Sequence, residues 1–129
     1  RLKAAGIRVV VTVSPLMPIE DPDRFFDRIA ECADAVVIDH FIEGDGSKGG
    51  QRTLKTGLPK AIREIYPEAT SLVYRDKIVG IAERYLPGKV GVNIDGFGGR
   101  FGEGVQGVER MRRPSCARGR RRKSRSDRR

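Results

Sequence analysis

The chain has 129 residues, of which 26 are Lys or Arg and 17 are Asp or Glu, giving a formal net charge of +9 at pH 7. This length suits one domain with a modest core, and no stretch approaches the roughly 20 apolar residues of a membrane-spanning helix. Trp is absent and aromatic residues make up 6%, so few side chains are available to stack on nucleic-acid bases.

The positive charge is concentrated in the last part of the sequence. Residues 1–108 contain 15 basic and 15 acidic side chains, whereas residues 109–129 contain 11 basic and 2 acidic. Because like charges at this density repel, we expect a domain over 1–103 and a disordered Arg-rich tail over 104–129. The tail could bind nucleic-acid phosphates, be solvated without a partner, or be a frameshift product of a GC-rich gene.

Two cysteines and one histidine limit the metal chemistry of the chain. Cys32 falls in a predicted helix and Cys116 in the tail, without the spacing of metal ligands. We expect Cys32 to be a small buried apolar residue in a reducing compartment. With no basic-then-apolar leader at the start of the sequence, we predict a cytoplasmic protein.

The first residues resemble the end of a helix, with Gly6 as its left-handed cap. Five residues cannot nucleate a helix alone, so we expect its beginning to lie upstream in a longer protein. The β-branched run over 7–13 then predicts a strand covered on both faces, as in parallel sheets. Pro15 and Pro18 end this strand because proline lacks the N–H that a sheet requires.

The remaining pattern alternates helices and strands. Asp21 caps the next helix, with Pro22 at its first position. We then expect a strand over 35–39, a glycine-rich loop over 40–57, a short helix over 59–66, a helix from Thr70 or Ser71 to about 86, and a strand over 89–95. This order indicates βαβ crossovers and a parallel sheet. We therefore predict an α/β fold that is the C-terminal portion of a partial (β/α) barrel of the TIM type.

Candidate catalytic residues follow the predicted strands, since ligands of parallel α/β folds bind at the carboxyl ends of strands. Asp39 and His40 follow the second strand, and Asp95 ends the third, so we expect all three to line one pocket mouth. His40 also has a pKa suited to proton transfer, and its place after a strand favours a position outside the core. Alternatively, each Asp simply hydrogen-bonds the turn that follows it.

The loop after the second strand contains the pattern G-x-G-x-x-G over 44–49. A dinucleotide-binding loop joins a strand directly to a helix, which this spacing does not predict. We interpret it as a mobile active-site loop with Asp45, Ser47 and Arg52 as substrate contacts, or as a plain flexible connection. A small nucleotide-binding α/β protein that uses Gly44–Gly50 is an alternative.

Several stretches together resemble a known family. Ser14-Pro15-Leu16-Met17-Pro18-Ile19, Val37-Ile38-Asp39-His40-Phe41, Gly44-Asp45-Gly46-Ser47 and Asp95-Gly96-Phe97 are similar to the C-terminal part of spore photoproduct lyase-like members of the radical S-adenosylmethionine superfamily. The resemblance covers about residues 1–102. It implies S-adenosylmethionine and a [4Fe-4S] cluster as cofactors of the whole enzyme, which uses a 5′-deoxyadenosyl radical to abstract a hydrogen atom.

The resemblance also implies a division of roles. Thr12 and Ser14 match positions that contact S-adenosylmethionine, and Asp39 and His40 would face the substrate or the adenosyl group. The Cys-x3-Cys-x2-Cys motif that binds the cluster is absent from this sequence. We therefore expect the chain alone to be inactive, and its partner to be the N-terminal half of the barrel. The substrate, a small molecule or a nucleic acid, is left open.

Overall fold

The computed structural model describes residues 1–97 as a mixed α/β fold built on one open sheet. Its elements in chain order are a 3-10 turn (Lys3–Ala5), β1 (Val10–Val13), α1 (Pro22–Cys32), β2 (Ala35–Ile38), α2 (Phe41–Gly44), a 3-10 turn (Lys48–Gly50), α3 (Gln51–Leu54), α4 (Leu58–Ile65), a 3-10 turn (Pro67–Thr70), α5 (Leu72–Tyr85), β3 (Val90–Val92) and α6 (Asn93–Phe97). The predicted domain boundary after residue 103 and the tail lie outside this range. Among these helices, none is long and apolar enough to cross a bilayer.

The three strands are parallel and lie in the order β1–β2–β3, which confirms the predicted parallel sheet. Val13 is paired in register with Ile38, and Ile38 with Val92. The last residues of the three strands therefore lie at one side of the sheet, which we call the carboxyl edge. The side chains that follow these strands are brought together there.

The main core lies on one face of the sheet, beneath α1 and α5. Phe26 of α1 and Ile78 of α5 pack with Val36 and Ile38 of β2, and all four side chains are fully buried. The start of α1 is fixed by its N-cap residue. The Asp21 side chain accepts a hydrogen bond from the Arg24 N–H of α1 (3.0 Å). These apolar faces explain why α1 and α5 lie against the strands.

The opposite face of the sheet, which we call the open face, is only partly covered by the described residues. Val10 is 41% exposed and Thr12 is also exposed, so the expectation that β1 is covered on both faces is wrong here. Val37 is buried because α6 folds onto it, so closely that a Cβ at Gly96 would lie 2.7 Å from Val37 Cγ1. The described helices α1 and α5 cover one face alone, which leaves β1 half-covered.

Element boundaries also depart from the sequence prediction. β3 ends at Val92 and not at Asp95, because Asn93 has a left-handed backbone (φ 47°) and starts α6. The glycine-rich connection contains α2, α3 and a 3-10 turn. The first residues form a single 3-10 turn, with Gly6 as its left-handed cap as predicted. Cys32 is exposed, against expectation, since it is the last residue of α1.

Candidate functional site at the carboxyl edge

β1 and β2 place a hydroxyl group and a carboxylate side by side at the carboxyl edge. The Ser14 hydroxyl donates a hydrogen bond to Asp39 Oδ2 (2.7 Å). Main-chain bonds fix this arrangement, because the Asp39 N–H donates to the Val13 carbonyl (2.9 Å) and the Leu16 N–H donates to the Asp39 carbonyl (2.8 Å). Ser14 is exposed and Asp39 is half-buried, so a ligand could reach both.

The backbone of Gly44 lies directly against the carboxylate of Asp39. A Cβ at position 44 would collide with Asp39 Oδ1 and would lie 2.8 Å from Asp39 Cγ. Only glycine fits this contact without a shift of the turn. The Asp39 carboxylate is therefore held between the Ser14 hydroxyl on one side and the turn after β2 on the other.

His40 is completely buried, which contradicts the expectation that it lies outside the core. Its Nε2 lies 3.0 Å from the Ala69 carbonyl oxygen, and its Nδ1 accepts a hydrogen bond from the Ile42 N–H (3.1 Å). A carbonyl oxygen can only accept, so the contacts assign the proton to Nε2 and the lone pair to Nδ1. Burial lowers the pKa of the His40 imidazole, and the hydrogen bond to Ala69 opposes this shift.

A second cluster of polar side chains, which the sequence patterns did not predict, lies beside the Ser14–Asp39 pair. Arg75 of α5 donates to Glu43 Oε2 (2.7 Å) and also pairs with Asp76 (2.8 Å). Asn93 donates to the same Glu43 oxygen through Nδ2 (3.3 Å) and accepts from the His40 N–H through Oδ1 (3.1 Å). The Arg75 side chain is 13% exposed and that of Glu43 is 55% exposed, so the ion pair is shielded from solvent on the arginine side only.

Glu43 and Asn93 both have left-handed backbones, with φ of 72° and 47°. Such conformations cost of the order of 1–3 kcal/mol in non-glycine residues and persist where surrounding contacts hold them. In this protein the two residues hold each other through their side-chain hydrogen bond, and Arg75 holds Glu43. The carboxyl edge is thus the place where the described chain concentrates strained backbone.

The predicted substrate loop is organised by its own side chains. Asp45 accepts hydrogen bonds from the Ser47 N–H (2.8 Å), the Ser47 hydroxyl (2.6 Å) and the Thr53 N–H (2.8 Å). These donors, the Ser47 hydroxyl first, lower the pKa of the Asp45 carboxyl. The Ser47 oxygen in turn accepts from the Arg52 N–H (3.0 Å). Asp45 and Ser47 therefore brace the loop, while the Arg52 side chain is exposed.

The remaining predicted residues are not drawn into these contacts. Asp95 lies on α6, beyond the end of β3, and is exposed. Within residues 1–97, no hydrogen bond or ion pair joins it to Asp39 or His40. The register instead places Asn93, next after Val92, at the position that corresponds to Asp39. Thr12 is exposed on the open face of β1.

Two open clefts lie away from the predicted site. One, of about 400 Å³, is lined by Lys3, Gly6, Ile7, Arg8, Asp34 and Lys89. The other, of about 630 Å³, runs between the β1–α1 connection, α4 and α5, and its lining includes Ile19, Tyr66 and Tyr74. None of the predicted site residues lines either cleft, and the exposed Ser14 and half-buried Asp39 place the carboxyl-edge site at the surface.

Neither a metal site nor a similar known protein identifies a function for this chain. Over the 97 described residues, no group of three His, Cys, Asp or Glu side chains could hold a metal ion. Comparison with protein-family models, curated proteins and solved structures finds no match to this chain. The residues at the carboxyl edge and their geometry are therefore the basis for its functional assignment.

Proposed function

We propose that the chain is the C-terminal part of a (β/α) barrel from a radical S-adenosylmethionine enzyme similar to the spore photoproduct lyase-like proteins. In this proposal it supplies one wall of the site that holds cofactor and substrate. The observation that carries the proposal is the Ser14–Asp39 hydrogen bond (2.7 Å) at the carboxyl edge. Ligands of parallel α/β folds bind at that edge, where the loops after the strands converge.

The open face of the sheet supports a barrel. In a (β/α) barrel the helices cover the outer face of each strand, and the inner face packs against other strands. The described helices α1 and α5 cover one face. On the other face Val10 and Thr12 of β1 are exposed, whereas α6 covers Val37 of β2, so the support comes from β1. The neighbouring strand pairs are both parallel and follow chain order, which is the strand arrangement of a barrel segment.

The polar groups at this edge suit S-adenosylmethionine. Thr12 and Ser14 offer hydroxyl groups and Asp39 a carboxylate, which are partners for ribose hydroxyls and for an ammonium group. In this proposal Thr12 and Ser14 hold the cofactor and Asp39 orients it, with Ser14 fixing the Asp39 carboxylate. When bound in an enzyme of this class, the cofactor supplies the 5′-deoxyadenosyl radical that abstracts a hydrogen atom.

The [4Fe-4S] cluster does not fit the residues of this chain. Such clusters are held by cysteine thiolates, and Cys32 is the one cysteine among residues 1–97. It lies at the end of α1, and α1 runs back from the carboxyl edge towards the start of β2. Cluster ligands would therefore have to come from another part of the enzyme.

The proposal gives each of the other predicted site residues a different role. His40 is a candidate for proton transfer, but main-chain groups engage both of its ring nitrogens, so Asp39 is assigned the direct contact. Asp45 and Ser47 shape the loop that presents Arg52 to the substrate. Asp95 is a further candidate contact at the same edge.

The first test is the reading frame upstream of this sequence. We expect a Cys-x3-Cys-x2-Cys motif within about 200 residues upstream, since a whole barrel of this class takes about 250 residues. An upstream frame that lacks three such cysteines would contradict the proposal.

The second test is activity of the chain joined to that upstream segment, after reconstitution of the cluster and with S-adenosylmethionine and a one-electron reductant added, since reductive cleavage of the cofactor consumes an electron. We expect formation of 5′-deoxyadenosine, reduced at least tenfold by Asp39→Asn or Ser14→Ala. Asp27→Asn on the exposed side of α1 is the matched control and should leave the rate unchanged. The 129-residue chain alone should show no turnover, and turnover by it would overturn the assignment.

The nucleotide-binding alternative receives no support from the loop geometry. A phosphate-binding loop needs free main-chain N–H groups, but within Gly44–Gly50 the Ser47 N–H donates to the Asp45 carboxylate (2.8 Å), and the N–H groups of Asp45 and Gly50 donate to main-chain carbonyls (3.3 and 3.4 Å). The nucleic-acid alternative rests on the tail, which lies outside the described residues.

A further inference from the structure

The turn that follows β2 is closed by the imidazole ring of His40. Nδ1 accepts from the Ile42 N–H (3.1 Å), and Nε2 lies 3.0 Å from the Ala69 carbonyl oxygen. The neutral ring with its proton on Nε2 satisfies both main-chain groups. A second proton on Nδ1 would point an N–H at the Ile42 N–H, and two donors cannot pair.

We propose that His40 is a pH-sensitive latch, in which protonation of the ring opens the turn over Phe41–Gly44 and withdraws Gly44 from Asp39. The inference goes beyond the proposed function and does not depend on it, because it concerns the turn and not the ligand. Its consequence is that acidification changes the surroundings of Asp39.

The turn is suited to such a transition because hydrogen bonds and an ion pair hold a strained backbone, and one of these bonds is to the His40 ring. Ile42 has ψ of 123° and Glu43 φ of 72°, so neither residue is helical although they lie within α2. The conformation is restrained by the bond from the Ile42 N–H to His40, by the bonds from Arg75 (2.7 Å) and Asn93 (3.3 Å) to Glu43, and by the bond from the Asp45 N–H to the Phe41 carbonyl (3.3 Å). Left-handed conformations of such residues persist only while surrounding contacts enforce them. Loss of the first contact removes the bond to the ring and leaves the bonds to Glu43 and to the Phe41 carbonyl to hold the turn.

Burial sets the direction of the His40 pKa shift, and the hydrogen bond to Ala69 and the nearby charges modify it. Burial is the largest influence and lowers the pKa of His40, and the Arg75 guanidinium of α5 acts in the same direction. The carboxylates of Asp39 and Glu43 act in the opposite direction. Because the unfolded value is about 6.5, the neutral ring stabilises the turn fully above that pH. This contribution falls as the pH drops below 6.5 towards the folded pKa.

NMR spectroscopy of the full chain tests the latch, since the sequence has one histidine and its ring signals are unambiguous. At about pH 7.5 we expect the Nε2–H tautomer. On lowering the pH to about 4.5, ring protonation and the shift of the Ile42 amide should share one midpoint below 6.5. Protection of the Ile42 amide against exchange should fall at least tenfold relative to that of Ala82 in α5.

The matched variant is His40→Asn, whose side-chain oxygen can accept from an N–H two residues on but does not titrate. We expect its Ile42 amide to keep the same protection over the whole pH range. A wild-type Ile42 amide that is unaffected while the ring titrates would overturn the proposal. A midpoint near 4 that persists in His40→Asn would also overturn it, since it would assign the change to the carboxylates. If the variant does not fold, the two wild-type midpoints decide alone.

Discussion

Asn93 makes two side-chain hydrogen bonds across the carboxyl edge, one to the main chain of His40 (3.1 Å) and one to Glu43 (3.3 Å). It is among the few buried polar residues of the described chain, and its φ of 47° is one that asparagine tolerates better than most residues. Asn93 therefore serves two purposes. Its backbone conformation ends β3, and its side-chain amide ties the end of this strand to the turn after β2.

We expect Asn93→Ala to lower the free energy of unfolding by about 1–3 kcal/mol, because the buried His40 N–H loses its acceptor. Urea denaturation followed by circular dichroism gives the difference. Asp95→Ala is the control, and its exposed position predicts a change within about 0.5 kcal/mol. Equal losses in the two variants would contradict the role assigned to Asn93.

Part of the site follows from sequence and part does not. Ser14 and Asp39 were predictable because each comes directly after a β-branched run, and parallel strands end at one edge. The Arg75–Glu43 pair was not predictable, because it joins residues 32 positions apart through the packing of α5. Asn93 was missed because the end of β3 depends on the backbone of that one residue.

Among the secondary-structure elements, helix boundaries follow local sequence signals more closely than strand boundaries do. The start of α1 follows from Asp21 as its cap and Pro22 as its first residue, and α5 likewise starts after Ser71, whose oxygen accepts from the Tyr74 N–H (3.3 Å). The start of β1 and the end of β3 carry no comparable signal, since β-branched residues lie beyond the first pairing of β1 and the last pairing of β3. This explains why β1 and β3 are shorter than the sequence suggests.

The cap of α1 gives a prediction at the level of the element. Asp21→Ala should lower the free energy of unfolding by about 1 kcal/mol, since the Arg24 N–H loses its acceptor and the helix start its negative charge. Asp27→Ala removes the same charge from the middle of α1 without touching the cap. Thermal unfolding of both variants compares them, and a larger loss in Asp27→Ala would contradict the capping role.

For the molecule as a whole, stability depends on a core that lies on one side of a three-stranded sheet. Phe26 is fully buried there, while its neighbour Phe25 is 37% exposed, and their rings meet edge to face at 5.1 Å. The burial of Phe26 was predictable from the periodicity of α1, although the same pattern also placed the exposed Phe25 on the apolar side. The half-covered open face was not, because coverage depends on which other elements lie above the sheet.

Phe26→Ala should cost about 3–5 kcal/mol, since it leaves a cavity between α1 and the sheet. Small domains are stable by about 5–15 kcal/mol, so this variant should be close to unfolding at room temperature. Phe25→Ala, which removes the same ring from a partly exposed position, should cost about 1 kcal/mol. Guanidinium denaturation of both variants measures the contrast, and similar midpoints would show that the core lies elsewhere.

The order β1–β2–β3 has a consequence for how the chain is made. Each strand pairs with the strand next to it in the sequence, so β1, α1 and β2 can join while the ribosome is still translating later residues. β3 then adds to a surface that already exists. A nascent chain of which residues 1–38 have emerged from the ribosome should therefore contain a βαβ unit. In that unit β2 is paired with β1 and has not yet paired with β3.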